Sequence, residues 1–280
     1  MVSLDHLIAT GLRPGTLRVF LLRKLLRRWP LGSFKTRMLG GAVDRPHYAW
    51  CLYHGALLAK ALGKKAITAI EFGVAGGNGL VCLCDYKRTV EKETGIEIRL
   101  VGFDAGSGLP SSSDPRDMLY SWPEGAFPMD QVALEKRIAG RAQLVIGNVG
   151  KTLEGWEPAP DAPIGAILFD LDYYSSTINA LQVLTKENVL PRIWCYFDDV
   201  CTSPDEAATE ILGERAAIAE FNSSARRKAL NDNISLARAF RFTHPQSWHQ
   251  HIYVYHRLSH PQYNSRIVGS REGNLALAGR

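Results

Sequence analysis

The chain has 280 residues, is 46% hydrophobic and 22% charged, and carries a formal charge of +5. That length and apolar content suit one sizeable α/β core and exclude an intrinsically disordered or disulfide-built protein. No apolar run reaches the ~20 residues that span a bilayer, and Met1 to Gly11 lacks the pattern of a secretory signal, so a cytoplasmic location is expected.

Eight basic residues crowd the stretch from Arg13 to Arg37: Arg13, Arg18, Arg23, Lys24, Arg27, Arg28, Lys35 and Arg37. Thr16 to Trp29 fits a helix stopped by Pro30, with Leu17, Phe20, Leu21, Leu25 and Leu26 near one side. Such a helix suits either peripheral contact with an anionic membrane surface or packing on the domain or on a second subunit of a homo-oligomer. Nucleic acid is not an expected partner, because the stretch lacks interleaved stacking aromatics and the rest of the chain is near neutral. Residues 1–44 thus form a basic helical extension, 45–258 the main domain and 259–280 a polar tail. Five cysteines without a C-x-x-C pair, three of them in apolar segments, are expected to be free thiols.

His47 to Leu62 reads as a helix ending at Gly63. Ala66 to Ile70 then reads as a buried parallel strand running into Glu71, followed by a turn with Gly73, Gly76, Gly77 and Gly79 and a helix over Leu80 to Val90. The glycine order departs from the dinucleotide Gly-x-Gly-x-x-Gly and lacks the Lys-Ser/Thr ending of a phosphate loop. The turn presents free helix N–H groups at the carboxyl edge of a sheet, where nucleotide-like ligands bind. A second strand, Ile96 to Phe103, ends in Asp104. The polar excursion from Ala105 to Pro128, with Tyr120, Trp122 and Phe127, is too long for a simple connection and reads as a lid or substrate loop.

A helix over Met129 to Ala139 leads to a third strand, Ala142 to Ile146, ending in Gly147-Asn148. The fourth strand, Gly165 to Phe169, ends at Asp170, with a helix over Ser175 to Asn188. The fifth, Arg192 to Phe197, ends at Asp198-Asp199, with a helix over Asp205 to Phe221. Ala239 to Thr243 and His251 to Tyr255 read as a terminal hairpin. The prediction is an α/β, Rossmann-like, doubly wound and mostly parallel seven-stranded sheet, with a C-terminal antiparallel hairpin and helices on both faces.

The acids carry the chemistry. Glu71, Asp104, Asp170 and Asp198-Asp199 each fall at the carboxyl end of a predicted strand, the binding edge of an open α/β sheet. Asp104 suits a carboxylate that accepts hydrogen bonds from ribose hydroxyls, or else a turn or cap aspartate. Asp170, Asp172, Asp198 and Asp199 crowd four negative charges onto two strand ends, which is unfavourable without a cation or a proton. Oxygen-only donors point to Mg²⁺; caps and turns are the alternative. No histidine falls at a strand end of this half, and His47 is the best placed for a substrate role.

Three segments in order resemble the class I S-adenosylmethionine-dependent methyltransferases, more closely the macrocin O-methyltransferase group, which includes metal-dependent sugar O-methyltransferases. They are Ile70-Glu71-Phe72-Gly73-Val74-Ala75-Gly76-Gly77-Asn78, then Gly102-Phe103-Asp104-Ala105-Gly106-Ser107-Gly108-Leu109-Pro110, and Phe169-Asp170-Leu171-Asp172-Tyr173-Tyr174-Ser175-Ser176-Thr177 with Phe197-Asp198-Asp199. The resemblance covers about Arg45 to Thr202 and extends to the terminal hairpin. It implies that Glu71, Gly73, Gly76, Gly77, Asp104, Asn148 and Asp170 contact S-adenosyl-L-methionine: the first four at the methionine side, Asp104 at the ribose and Asn148 near the adenine. It further implies Asp170, Asp198 and Asp199 as Mg²⁺ ligands, with Asp172 as the general base and Asp170 the other catalytic residue. The expected activity is O-methylation of a small-molecule or glycan hydroxyl, on a sugar before a catechol-like phenol; a non-catalytic binding protein of the same fold is the third reading. Ala105-Gly106-Ser107 and Val200 depart from the family's usual residues and bear on the acceptor pocket.

Overall fold

Every position of β1 (Ala66–Phe72) and of β4 (Ile164–Phe169) is buried in the computed structural model, which describes residues 16–207, 209–224, 232–236 and 247–267. Strands apolar on both faces need helices on both sides. The order across the sheet is β3 (Gln143–Ile146), β2 (Glu97–Asp104), β1, β4, β5 (Val189–Phe197), β7 (Ile252–His256) and β6 (Asn233–Leu236). The five strands from β3 to β5 run parallel, whereas β7 pairs antiparallel with both β5 and β6. The expected seven-stranded, doubly wound sheet is therefore present, and its order reverses between β1 and β4. At such a switch point the flanking connections diverge to opposite faces and leave a crevice beyond the strands' carboxyl ends.

Eight α-helices are described: α1 (Thr16–Arg28), α2 (Phe34–Leu39), α3 (Pro46–Ala61), α4 (Asn78–Thr94), α5 (Gln131–Ile138), α6 (Val149–Glu154), α7 (Tyr174–Ala180) and α8 (Gly213–Ser223). Alternation along the strands divides the core. Ile67, Ala69, Ala166 and Leu168 meet Tyr48, Leu52 and Leu80 on one face, while Ile70, Phe72, Ile167 and Phe169 meet Tyr174, Ala217 and Phe221 on the other. On the second face Phe103, Phe72, Phe169 and Phe197 sit in register across four strands, their ring centroids 5.0, 5.5 and 4.5 Å apart in turn. Each such pair adds about 0.5–1.5 kcal/mol beyond its burial. The row has a consequence for function. Asp104, Asp170 and Asp198 each follow one of these phenylalanines, so the lock that aligns the rings also aligns the acids at one edge.

Three expectations need correction. The helix predicted over Ser175 to Asn188 ends at Ala180 and tightens into a 3₁₀ segment, Leu181–Thr185. The helix predicted over Asp205 to Phe221 is broken: a 3₁₀ turn at Pro204–Glu206 ends with Ala207 at φ 50°, and α8 starts only at Gly213. The strand paired with β7 is Asn233–Leu236, because both backbone groups of Ile234 are claimed by the Asn222 side chain at 2.9 Å, which ties β6 to α8. Ala239 to Thr243 lie outside the described residues, as do Met1 to Gly15 and 268–280. The first part of the predicted polar tail is held: the Tyr263 hydroxyl lies 2.7 Å from His256 Nδ1, and Arg192 donates to the Tyr263 carbonyl at 2.9 Å. All five cysteines are free. Among the described residues no helix is long and apolar enough to cross a membrane.

Candidate active site

The glycine turn after β1 is built by close approach. A Cβ on Gly73, which has φ +82°, would lie 1.7 Å from the Asp170 carbonyl oxygen, so only glycine lets β1's turn abut the end of β4. A Cβ on Gly79 would lie 1.8 Å from Glu71 Oε1. Gly76 differs: nothing stands within 4 Å of its would-be Cβ, and it is exposed on the cleft wall. Asp104 holds the turn from β2. Its Oδ2 accepts from the Val74 and Ala75 N–H groups at 2.8 and 2.7 Å, and its Oδ1 from Gly106 N–H at 2.6 Å. Three of the carboxylate's roughly four lone-pair sites are thereby used, leaving one for a ligand hydroxyl.

The turn and the acids share one cleft of about 500 Å³. Glu71, Gly73, Gly76, Asp104, Asn148, Asp170, Asp172, Asp198 and Asp199 all line it. Gly77 does not. It caps α4 at φ +82°, with the Leu134 side chain 2.2 Å from where a Cβ would sit, so it shapes the turn from behind. Asn148 lies on the rim, where its Oδ1 caps α6 by accepting from Gly150 N–H at 3.1 Å.

Within the same cleft negative charge is crowded. Burial, then Asp198 and Asp172, push the Asp170 carboxyl up to about 8. Burial, then Asp198 and Glu206, push Asp172 up to about 7. Asp199 is raised well above the carboxylate range by burial and by Asp172, Asp170 and Asp198. Asp172 adopts φ 57°, which turns its N–H onto Asp199 Oδ2 at 3.0 Å. The donors are all hard oxygens, suited to Mg²⁺ or a proton. Among the described residues, however, no group of three or more His, Cys, Asp or Glu side chains is placed to hold a metal ion.

Several residues around the cleft are not singled out by the sequence. Tyr48, fully buried in α3, donates its hydroxyl to Glu71 Oε1 at 2.8 Å. The Glu71 carboxyl is pushed up to about 8, chiefly by burial, and its Oε2 is buried without a hydrogen-bond partner among the described residues. Arg45, whose charge acts on Glu71 and Asp170, lines the cleft at φ 39° just before α3. Tyr196 donates its hydroxyl to Asp198 Oδ1. Since side chains two apart on a strand share a face, that pairing was open to a sequence argument. Glu214, fully buried at the start of α8, accepts from Asp199 N–H at 2.9 Å; no local pattern marks it. His47 does not line the cleft. It stacks on Tyr196 at 4.2 Å, and burial, then Arg45 and His251, push it down to about 3, so it stays neutral at pH 7.

The long loop from Ala105 to Pro128 is pinned rather than free. Asp117, fully buried, accepts from Ser175 N–H at 2.8 Å, Ser175 Oγ at 2.7 Å and Ser112 Oγ at 2.5 Å. Tyr173 donates to the Trp122 carbonyl at 2.7 Å. Trp122 and Phe127 line the cleft, whereas Tyr120 is 65% exposed and donates to the Glu206 carbonyl at 2.7 Å.

No family model matches the chain, and no curated protein does. Solved structures do resemble it. The calicheamicin methyltransferase CalS11 is 20% identical, with 87% of this chain and 93% of that one covered at a TM-score of 0.49. A putative O-methyltransferase from Klebsiella pneumoniae is 15% identical over 84% and 94%, at 0.41. An O-methyltransferase from Bacillus cereus in complex with SAH is 11% identical over 84% and 96%, at 0.37. At such identities and TM-scores the likeness says nothing about activity or acceptor.

Proposed function

We propose that the chain is an S-adenosylmethionine-dependent O-methyltransferase acting on a hydroxyl of a sugar, a sugar-containing metabolite or a glycan, with Mg²⁺ as a second requirement. One observation carries the reading: a glycine turn clasped by a strand-end aspartate and a group of four aspartates line a single cleft at the sheet's switch point. The first half suits a nucleoside with a cationic amino-acid end. Asp104 keeps a lone pair for a ribose hydroxyl, Gly76 offers open backbone, and the unpartnered Glu71 Oε2 is an acceptor that an ammonium group satisfies.

The second half suits a polyol. Trp122 and Phe127 offer apolar faces for a ring, beside carboxylates that accept from its hydroxyls. The sugar assignment, and membership of the macrocin group, rest on the three motif segments. Asp170, Asp198 and Asp199 are the residues that would hold Mg²⁺; when bound, it supplies Lewis-acid lowering of the acceptor hydroxyl's pKa. Asp172, raised to about 7, takes the hydroxyl proton at neutral pH. As that proton leaves, the acceptor oxygen bonds to the methyl carbon and the carbon–sulfur bond breaks, the electron pair staying on sulfur. The cleft's part is to hold oxygen, carbon and sulfur in line.

Isothermal titration with S-adenosylmethionine, with and without Mg²⁺, tests the cofactor; no binding in either condition overturns the proposal. Asp172→Asn should lower turnover on an accepted sugar by about 10²- to 10⁴-fold with cofactor affinity unchanged. Full activity after chelation removes the metal while leaving methyl transfer in place.

A further inference from the structure

Helix α1 is held to the domain through its cationic side and leaves most of its apolar side chains, Val19 and Phe20 included, exposed. Arg23 Nε donates to the Gly40 carbonyl at 2.7 Å, and Arg27 pairs with Asp44 at 2.9 Å and reaches the Gly41 carbonyl at 3.4 Å. The cationic side thus anchors the helix. Leu17, Leu21, Leu22, Leu25 and Trp29 fall within an arc of about 140° at 100° per residue, opposite Arg23 and Arg27. Each of the five is 46–57% exposed. A helix that only packed on its own domain would bury that arc, since each exposed leucine forgoes about 1.5–3 kcal/mol of transfer free energy.

We infer that α1 is a docking element for an anionic lipid bilayer. Charge decides the occupant. The eight basic residues from Arg13 to Arg37 meet no acid in that stretch; removed from the totals of 33 basic and 28 acidic residues they leave 25 basic, a net −3. All the chain's excess positive charge is therefore concentrated around this helix. A second copy seated on the same face would bring an identical basic helix against it, because a two-fold interface pairs a surface with itself. A sheet of lipid headgroups with negative charge meets no such conflict. Arg18 and Arg28 lie within the apolar arc, Lys24 flanks it, and none of the three has a carboxylate partner among the described residues. From those positions their aliphatic stems can cover apolar surface while the charged ends reach phosphates, with Trp29 at the headgroup level. The anchor pair at Asp44 lies one residue before Arg45 on the cleft wall, so a helix in the headgroup layer keeps the cleft beside the membrane. The inference does not depend on which reaction the cleft performs.

Co-sedimentation of the full chain with vesicles of phosphatidylcholine alone, or mixed with phosphatidylglycerol, tests it. The protein should pellet with the mixed vesicles, less so as salt rises, and stay in solution with the neutral ones. Replacing Arg18, Lys24 and Arg28 by Gln should weaken partitioning by about fivefold per cation, about a hundredfold together. Leu21→Glu with Leu25→Glu should weaken it by at least roughly tenfold, and circular dichroism should show both variants folded because the altered side chains are exposed. Equal pelleting with neutral and anionic vesicles, or unchanged pelleting of either variant, overturns the proposal. So does a wild-type dimer that the leucine variant converts to monomer without any vesicle binding, for the face is then an interface between copies.

Discussion

Replacing Gly76 with alanine adds one methyl group to the wall of the cleft and nothing to the interior. Its φ lies outside the left-handed region and its would-be Cβ meets no atom within 4 Å. The free protein should keep its stability, or gain about 0.4–1 kcal/mol through the lower entropy of the unfolded chain. A ligand seated against that backbone finds the methyl in its own volume. Overpacking of this kind costs about 1–3 kcal/mol, which corresponds to roughly 5- to 150-fold weaker binding. Gly73→Ala is the contrast: with φ +82° and a Cβ 1.7 Å from the Asp170 carbonyl oxygen, the turn must rebuild, and stability should fall by about 1–3 kcal/mol without any ligand present. Urea unfolding of both variants, paired with calorimetric titration of S-adenosylmethionine, separates the two costs. Wild-type affinity in Gly76→Ala, or a loss of stability matching that of Gly73→Ala, would refute the assignment of Gly76 to the ligand.

Asp117→Ala removes three hydrogen bonds to one buried carboxylate and should destabilise the protein by about 3 kcal/mol, while raising KM for the acceptor more than for the cofactor; a loss below about 1 kcal/mol in urea unfolding would mean the loop is not anchored there. His47 is depressed from 6.5 to about 3, so below pH 6.5 the unfolded chain takes up a proton that the native state refuses. Its contribution is therefore present above pH 6.5 and is lost as pH falls toward 3, at about 1.4 kcal/mol per pH unit. Stability measured from pH 7 to 4 should fall less steeply by that amount in His47→Gln, and an identical slope contradicts the burial argument. Tyr196→Phe keeps the rings that stack with His47 and His251 but removes the hydroxyl donated to Asp198. On the proposed Mg²⁺ dependence, the Mg²⁺ concentration for half-maximal turnover should rise by about ten- to a hundredfold, with cofactor titration unaltered; no change separates Tyr196 from the proposed metal site.

Much of the framework is legible in the residues. Continuous apolar runs such as Ala66 to Ile70 and Gly165 to Phe169 can only be strands covered on both faces, and a chain that alternates them with helices winds into a parallel sheet. Asp104, Asp170 and Asp198 follow from the same reading, because a polar residue ending an apolar run marks the carboxyl edge of the sheet, whereas Glu71 lies buried within β1, one residue before its end. Boundaries that depend on contacts are less legible. Nothing local in Asp205 to Phe221 shows that the helix must break near Ala207 and restart at Gly213 to carry Glu214 beneath Asp199. Nor does the hydrophobicity of Ala239 to Thr243 reveal that Asn222 reserves Ile234 as the partner of β7.

Taken alone, then, the sequence determines the order of elements, the glycine turn and the acids that end the strands, because strand alternation and turn chemistry act over a few neighbouring residues. Only the tertiary structure decides that Gly77 backs onto Leu134 while Gly76 faces the cleft, that Asp104 holds the turn as well as lining it, and that α1 shows its leucines outward. Those outcomes depend on which atoms lie across a contact from residues distant in the chain, and spacing along the chain carries no record of that.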